Sequence, residues 1–172
     1  MEENHIRLRA VEPEDVDFMM ECEEDRDSAK WSDYRAPLSR NQLLTYALTY
    51  DSDPFAAGQL RLIAVGRSGE RIGIADLYDI SEKDSKAFAG VTIHPAWRGK
   101  GMSRPLIEAM HSIAFERLGL KTLAVKISTR NTGALTAFEK AGYHLTAFLP
   151  SWHRIGKDFH DFKLLTMTAT DN

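Results

Sequence analysis

The sequence predicts a mixed α/β fold, a central mixed and mostly antiparallel sheet flanked by helices. Three observations carry the prediction. Short alternating or β-branched runs interleave with longer patterns of apolar residues at helical spacing. Three successive strand patterns between Leu60 and His94 are joined by short turns, which implies an antiparallel meander. Beyond them, a β-branched strand stops at Pro95 and is followed by a glycine-rich turn, an amphipathic helix and a second β-branched strand. That is the order of a parallel pair with a right-handed crossover.

With 172 residues, the chain is expected to be a single domain over 1–172 with a substantial core. An apolar fraction of 43% against 27% charged residues excludes a disordered chain. The net charge of −3 argues against a nucleic-acid surface and suits a cationic partner only in sign. The one cysteine, Cys22, cannot form an internal disulfide and lies in a helical pattern, so it reads as a small buried residue. Met1-Glu2-Glu3-Asn4 is acidic and polar, unlike a signal peptide. No apolar run approaches the roughly 18 residues of a membrane span. The expected location is the cytoplasm, with no membrane or nucleic-acid partner and no metal.

The elements follow in order. His5–Ala10 alternates as a half-buried strand. Glu12-Pro13-Glu14-Asp15 places proline and acids where a helix start favours them, and Val16, Met19, Met20 and Glu23 continue it. Residues 25–38 read as irregular. Ser39 with Gln42 is a capping box for a helix through Leu43, Tyr46, Ala47 and Tyr50. Residues 51–58 read as a loop. Leu60–Val65, Arg71–Ile80 and Ala87–His94 are the meander. After the glycine turn, Leu106, Ile107, Met110, Ile113, Ala114 and Leu118 recur at helical spacing, with Pro105 in the first turn. Thr122–Ile127 is a buried strand. Asn131–Lys140 is a short helix stopped by Gly142. Tyr143–Leu149 is a strand, residues 150–157 an aromatic connection, and Phe159–Thr168 the last strand.

The turn Arg98-Gly99-Lys100-Gly101 has a direct chemical use. The first N–H groups of a helix lack intrahelical partners, and the helix dipole makes that end positive. Glycines allow close backbone approach, and Arg98 and Lys100 add charge. The arrangement would suit a pyrophosphate. It matches neither the G-x-x-x-x-G-K-[ST] nor the G-x-G-x-x-G fingerprint. Taken alone it reads equally well as an ordinary basic turn.

Two motifs in order resolve this. Arg98-Gly99-Lys100-Gly101-Met102-Ser103 resembles the Q/R-x-x-G-x-G/A signature of the GNAT superfamily of acyl-CoA-dependent N-acetyltransferases, with Ser103 for the final small residue. Asn131 through Gly142-Tyr143 is similar to the family's second motif, and the resemblance runs over nearly the full chain. Leu8–Asp15, L-R-A-V-E-P-E-D, looks like the branch of bacterial spermidine and ribosomal-protein N-terminal acetyltransferases. So do the turn Gly156–Asp161 and the stretch Asp76-Leu77-Tyr78-Asp79. The resemblance implies acetyl-CoA as co-substrate and a GNAT-type acyltransferase fold. The strand backbone at Val91, Thr92 and Ile93 would hold the acetyl and pantetheine part. Arg98 to Ser103 would hold the pyrophosphate, and Asn131 with Ala134 to Phe138 would flank the thiol end. The acceptor would be a primary amine, either a polyamine-like small molecule or a protein N-terminus. The sequence leaves a homodimer or larger homo-oligomer open.

One position departs from the family. The usual acid is a tyrosine in a Y-x-K-x-G-F pattern, and this chain has Phe138, which has no proton to give. The thiolate then leaves unaided, or Tyr143 or Ser128 substitutes, or the chain is a catalytically weak or inactive acyl-CoA-binding regulatory module. Asp76 is the favoured cleft carboxylate, since Asp76 and Asp79 cannot both face one side of a regular strand. Trp31, Asp33 and Tyr34 are candidates for the acceptor pocket, because aromatics beside a carboxylate suit a cationic amine. Trp152 and His153 are secondary candidates. His94 reads as a strand-end residue facing away.

Overall fold

In the computed structural model, which describes residues 5–31 and 36–169, the chain opens on strand β1 (Arg7–Ala10). Pro13–Asp15 form a 3-10 turn that feeds helix α1 (Val16–Glu24). Asp15 anchors this start. Its carboxylate accepts from the Glu12 N–H at 2.9 Å and from Arg9 Nη1 and Nη2 at 2.6 and 2.8 Å, and it is 1% exposed. Burial alone would raise its pKa. The Arg9 guanidinium, the Glu12 N–H and Arg71 outweigh burial and hold it below the ordinary carboxylate value.

Two stretches expected to lack regular structure contain helices. Within residues 25–38 lies α2 (Arg26–Ala29), with Asp25 as N-cap accepting from the Ser28 N–H at 2.9 Å. Within 51–58 lies α4 (Pro54–Ala57), capped by Asp53 and ended by Gly58 at φ +70°. Both are single turns made by capping chemistry, which carries no apolar period for a pattern reading to find. Between them, α3 (Arg40–Thr49) starts at the expected capping box: Ser39 Oγ accepts from the Asn41 N–H, and Gln42 Oε1 from the Ser39 N–H.

The rest alternates as expected: β2 (Gln59–Val65), β3 (Arg71–Ser81), β4 (Lys86–Ile93), α5 (Ser103–His111), β5 (Thr122–Ser128), α6 (Thr132–Lys140), β6 (His144–Ile155) and β7 (Asp158–Thr168). A π-helical turn over Ser112–Arg117 extends α5. The strands form one sheet in the order β1-β2-β3-β4-β5-β7-β6, antiparallel except for the β4–β5 pair. Helices cover both faces. Val16, Met19, Leu43 and Ala47 pack on Ile63, Val65 and Ile74, while Leu106, Ile107, Met110 and Phe138 pack with Ala75, Leu77, Leu123 and Val125. The later residues of β2 are therefore buried on both faces, and the alternation read at Leu60–Val65 does not persist in burial.

The expected connection at 150–157 is corrected. Strand β6 runs through it as far as Ile155 and leaves Gly156-Lys157 as the turn, with a register break between Leu149 and His153 and with Ser151 at φ +46°. β6 is the edge strand, so Pro150 costs no ladder donor on the outer side. Among the described residues no helix is long and apolar enough to cross a membrane.

The feature that makes a site is the middle of the sheet. β4 and β5 pair only where Lys86–Phe88 oppose Thr122–Ala124. Beyond that the strands part. β4 stays on β3 as far as Ile93, and β5 stays on β7 as far as Ser128.

Candidate active site

The parted strands wall a cavity of about 890 Å³, lined on one side by Ala89–Ile93 and on the other by Val125–Ser128. Hydrogen-bond parity decides what β4 offers it. The His94 N–H donates to Ile72 O on β3 at 2.9 Å, and Ser85 O on the opposite parity accepts from Thr122 of β5. Antiparallel alternation then turns the backbone groups of Thr92 toward β3 and those of Val91 and Ile93 toward the cleft. Of the three residues expected to hold the acyl end, Val91 and Ile93 have cleft-facing backbone groups, and Thr92 belongs to the ladder opposite Ile74. This corrects the expectation for the Thr92 backbone.

At the end of β4, Pro95–Trp97 form a 3-10 turn, and Gly99 and Gly101 take φ of +70° and +74°. That left-handed backbone is the physical reason for glycine at both positions. Helix α5 follows with Met102 as N-cap and no side-chain cap, so its first amides are left for another acceptor. Ser103 lines the cavity, and Lys100 Nζ lies 4.9 Å from the centre of the Trp97 ring. The Arg98 side chain differs from expectation. It does not lie with the turn: Nη2 donates to Asp25 Oδ2 at 2.7 Å and to Ser28 Oγ at 2.8 Å, and Nε donates to Ile93 O at 3.1 Å.

Asn131 caps α6 by accepting from the Ala134 N–H at 3.2 Å, and Asn131, Ala134 and Phe138 all line the cavity. Phe138 is 2% exposed and meets Tyr143 edge to face at 5.0 Å. Tyr143 is excluded as a substitute acid. It is 1% exposed, does not line the cavity, and its hydroxyl has no hydrogen-bond partner among the described residues. Burial also raises its pKa. Ser128 does line the cavity, and its Oγ accepts from the Arg130 N–H at 3.3 Å.

The remaining wall comes from α1, α2, α3, β2 and β3. Trp31 lies there as expected. Asp33 and Tyr34 lie outside the described residues. Asp76 lines the cavity, but both its oxygens accept from Arg61, at 2.8 Å from Nε and 3.1 Å from Nη2. Arg61 Nη1 also donates to Glu23 Oε1 at 2.9 Å. Asp76 is thus half of a bidentate ion pair, which corrects its reading as an available base. Asp79 falls at the β3 register shift with φ +48°. The sequence reading missed Arg61, Glu23 as a site residue, Tyr46 and Tyr78, all of which line the cavity. The polar Arg61 inside an apolar strand was the available signal, and its partner depended on the β2–β3 register, which sets it opposite Asp76. Trp152 and His153 are not among the cavity residues. His94 faces away as expected: Nδ1 accepts from the Ala96 N–H, and Nε2 donates to Glu21 Oε2 at 3.0 Å. Cys22 is buried on α1, and burial pushes its thiol up to about 12. Among the described residues no group of three or more His, Cys, Asp or Glu is placed to hold a metal ion.

Comparison with known proteins agrees with this layout. The model of the family described as "Acetyltransferase (GNAT) domain" matches residues 5–144. A Bacillus subtilis (strain 168) protein named "Probable N-acetyltransferase YjcK" is 26% identical over 102 residues, 59% of this chain; the match spans 56% of that relative's length. The fold is shared with spermidine N-acetyltransferase from Vibrio cholerae, solved in complex with CoA and spermine, at a TM-score of 0.85 and 22% identity over 95% of each chain. A dodecameric structure of the Vibrio cholerae enzyme in an intermediate state gives a TM-score of 0.79 at 23% identity, covering 95% of this chain and 94% of that one.

Proposed function

The chain belongs to the GNAT acetyltransferase family, and from that premise we propose that it moves an acetyl group from acetyl-CoA to a primary amine in the cytoplasm. One observation carries the reading: β4 and β5 part beside an uncapped helix start whose preceding turn holds two left-handed glycines. The parted strands suit an extended amide chain, and the helix start suits a pyrophosphate. In this reading Arg98 to Ser103 contribute backbone amides to the cradle. Val91 and Ile93 face the acyl end, and Asn131, Ala134 and Phe138 flank the thiol.

The chemistry asks little else of the chain. The amine nitrogen forms a bond to the acetyl carbon as the carbon–sulfur bond breaks. An ammonium acceptor yields an acetamide, the CoA thiol and one proton. Strand amides aimed at the carbonyl oxygen stabilise the charge that develops there, and the cavity holds the two reactants within reach. Phe138 supplies no proton. A thiolate is a tolerable leaving group without one, and Ser128 is the hydroxyl retained at the cavity wall.

The acceptor belongs to the polyamine-like small molecules or the protein N-termini. The shared fold with spermidine acetyltransferases supports the first. Exposed Leu145, Phe148, Trp152 and Phe159 on the outer strands support self-association as a dimer or larger homo-oligomer. Phe138 favours one second reading, an acyl-CoA-binding module that does not turn over.

The test is release of CoA thiol when purified protein meets acetyl-CoA and a panel of amines and N-terminal peptides. Amine-dependent thiol release is the expected result. Tight CoA binding with no release above hydrolysis across the panel would establish the second reading instead.

A further inference from the structure

We propose that Lys126 is an internal acetyl acceptor, so that the protein acetylates itself at this residue. The inference rests on the reading of the cavity as an acetyl-CoA site. It starts from the face of the sheet that each residue of the parting strands takes. Burial alternates along β4 and β5. Ala87, Ala89, Leu123, Val125 and Ile127 are buried in the cluster that holds the α5 and α6 side chains. Phe88, Gly90 and Lys126 fall on the other face and are half-buried. On that other face, α1 and α3 pack over Ile63, Val65 and Ile74 of β2 and β3, and their cluster includes no residue of β4 or β5. Among the described residues the face bearing Lys126 is therefore left open, and it is the side from which an amine reaches the cleft.

Lys126 also stands where the strands begin to part. The last paired residues are Phe88 and Ala124. Lys126 lines the cavity, and its Nζ lies 4.7 Å from the centre of the Phe88 ring, which in turn stacks on Tyr78 at 5.5 Å. An extended acyl-CoA arm anchored at the turn after Ile93 runs back along β4 toward this point, so its reactive end is the end nearest Lys126. Gly90 brings no side chain between them: a Cβ there would meet nothing within 4 Å. The other lysine of the cavity wall, Lys30, is engaged by Asp27 at 3.1 Å. Lys126 Nζ rests on a ring face and makes no ion pair with the described residues.

The step balances with acetyl-CoA as its one co-reactant. The Lys126 ammonium gives one proton to solvent. Its nitrogen lone pair then attacks the thioester carbon, the C–N bond forms, and the C–S bond breaks with its electron pair leaving on sulfur. A second nitrogen proton passes to the sulfur. The products are Nε-acetyl-Lys126, the CoA thiol and one proton in solution. Because the amine is tethered to β5, attack is unimolecular once the donor is bound, and no external amine has to be captured. The modified chain carries a neutral amide where its acceptor face had a cation.

The experiment gives the full-length protein acetyl-CoA with a deuterated acetyl group and no added amine, and reads the label by intact mass and peptide mapping. The expected result is one labelled acetyl per chain, at Lys126, appearing at least about tenfold faster than at any other lysine. At fixed acetyl-CoA its half-time should not change when the protein is diluted, because donor site and acceptor lie on one chain. Lys126→Arg keeps the charge and removes the nucleophile; it should lose this label and still bind CoA by calorimetry. Label spread over the lysines at similar rates in folded wild type overturns the proposal, as does a half-time that lengthens in proportion to dilution. Amine-dependent thiol release with Lys126 unlabelled overturns this proposal and leaves the transferase reading standing. Wild type that binds no CoA overturns both. Labelled Lys126 without amine-dependent release upholds the proposal alone.

Discussion

Arg98 Nη2 stands 2.7 Å from Asp25 Oδ2, which ties the end of β4 to the cap of α2. The same nitrogen reaches Ser28 Oγ at 2.8 Å, so the family's signature arginine braces the short helix that leads to Trp31. Its side chain therefore braces the wall that carries Trp31 and turns away from the glycine turn. Arg98→Gln and Asp25→Asn should each raise the amine KM about tenfold while moving the CoA dissociation constant much less. Calorimetry with CoA beside steady-state kinetics reads both. A loss confined to CoA affinity would return Arg98 to the cradle.

Asp15 should control acid stability. Its carboxyl is held below the ordinary value, chiefly by Arg9 against the opposing effect of burial. A lowered folded pKa means stability that is present above the unfolded carboxylate pKa and is lost as pH falls through the folded one. Asp25, lowered by its bond to Arg98, acts in the same direction. Asp15→Asn should cost about 3 kcal/mol near pH 7, because it breaks a buried pair. The gap to wild type should close in acid. Urea unfolding across pH checks this, and a gap that stays constant down to about pH 2 would contradict it.

Two glycines in or beside the site should respond oppositely to alanine. A Cβ on Gly73 would lie 2.3 Å from Thr92 O, a backbone atom of the strand bearing the cleft. Gly73→Ala should therefore destabilise by about 2 kcal/mol or more. Gly133 stands in the first turn of α6, where an added methyl group would meet nothing within 4 Å, so Gly133→Ala should stabilise by up to about 1 kcal/mol. Equilibrium unfolding of the two variants separates the cases, and equal effects would refute the close packing of β3 on β4.

Phe138→Tyr tests the missing acid. Phe138 lines the cavity while packing against Tyr143, and in the proposed reaction a hydroxyl on its ring would add a proton donor beside the thiol. If leaving-group protonation limits the reaction, kcat should rise about tenfold or more. An unchanged kcat would mean that thiolate departure needs no help in this protein.

Most of the architecture was legible because it is written in local rules. Periodicity marked every strand and the longer helices, and the β-α-β order gave the parallel pair. The capping box at Ser39 and the glycines at 99 and 101 stand where turn chemistry demands them. Single-turn helices at 26–29 and 54–57 escaped because caps, and no apolar stripe, make them. The strand through Pro150 escaped because tolerance of proline depends on edge position, a property of the whole sheet.

The sequence by itself determined the element order and the glycine turn at the end of β4, since each depends on neighbours a few residues apart. Only the tertiary structure decided which charges meet. Arg61 finds Asp76 through strand register and Glu23 through helix packing, and Arg98 reaches Asp25 across the gap between two elements. Ion pairs between residues distant in sequence are set by how elements dock, so the composition of the pocket could be named beforehand only in part, and its charge balance not at all.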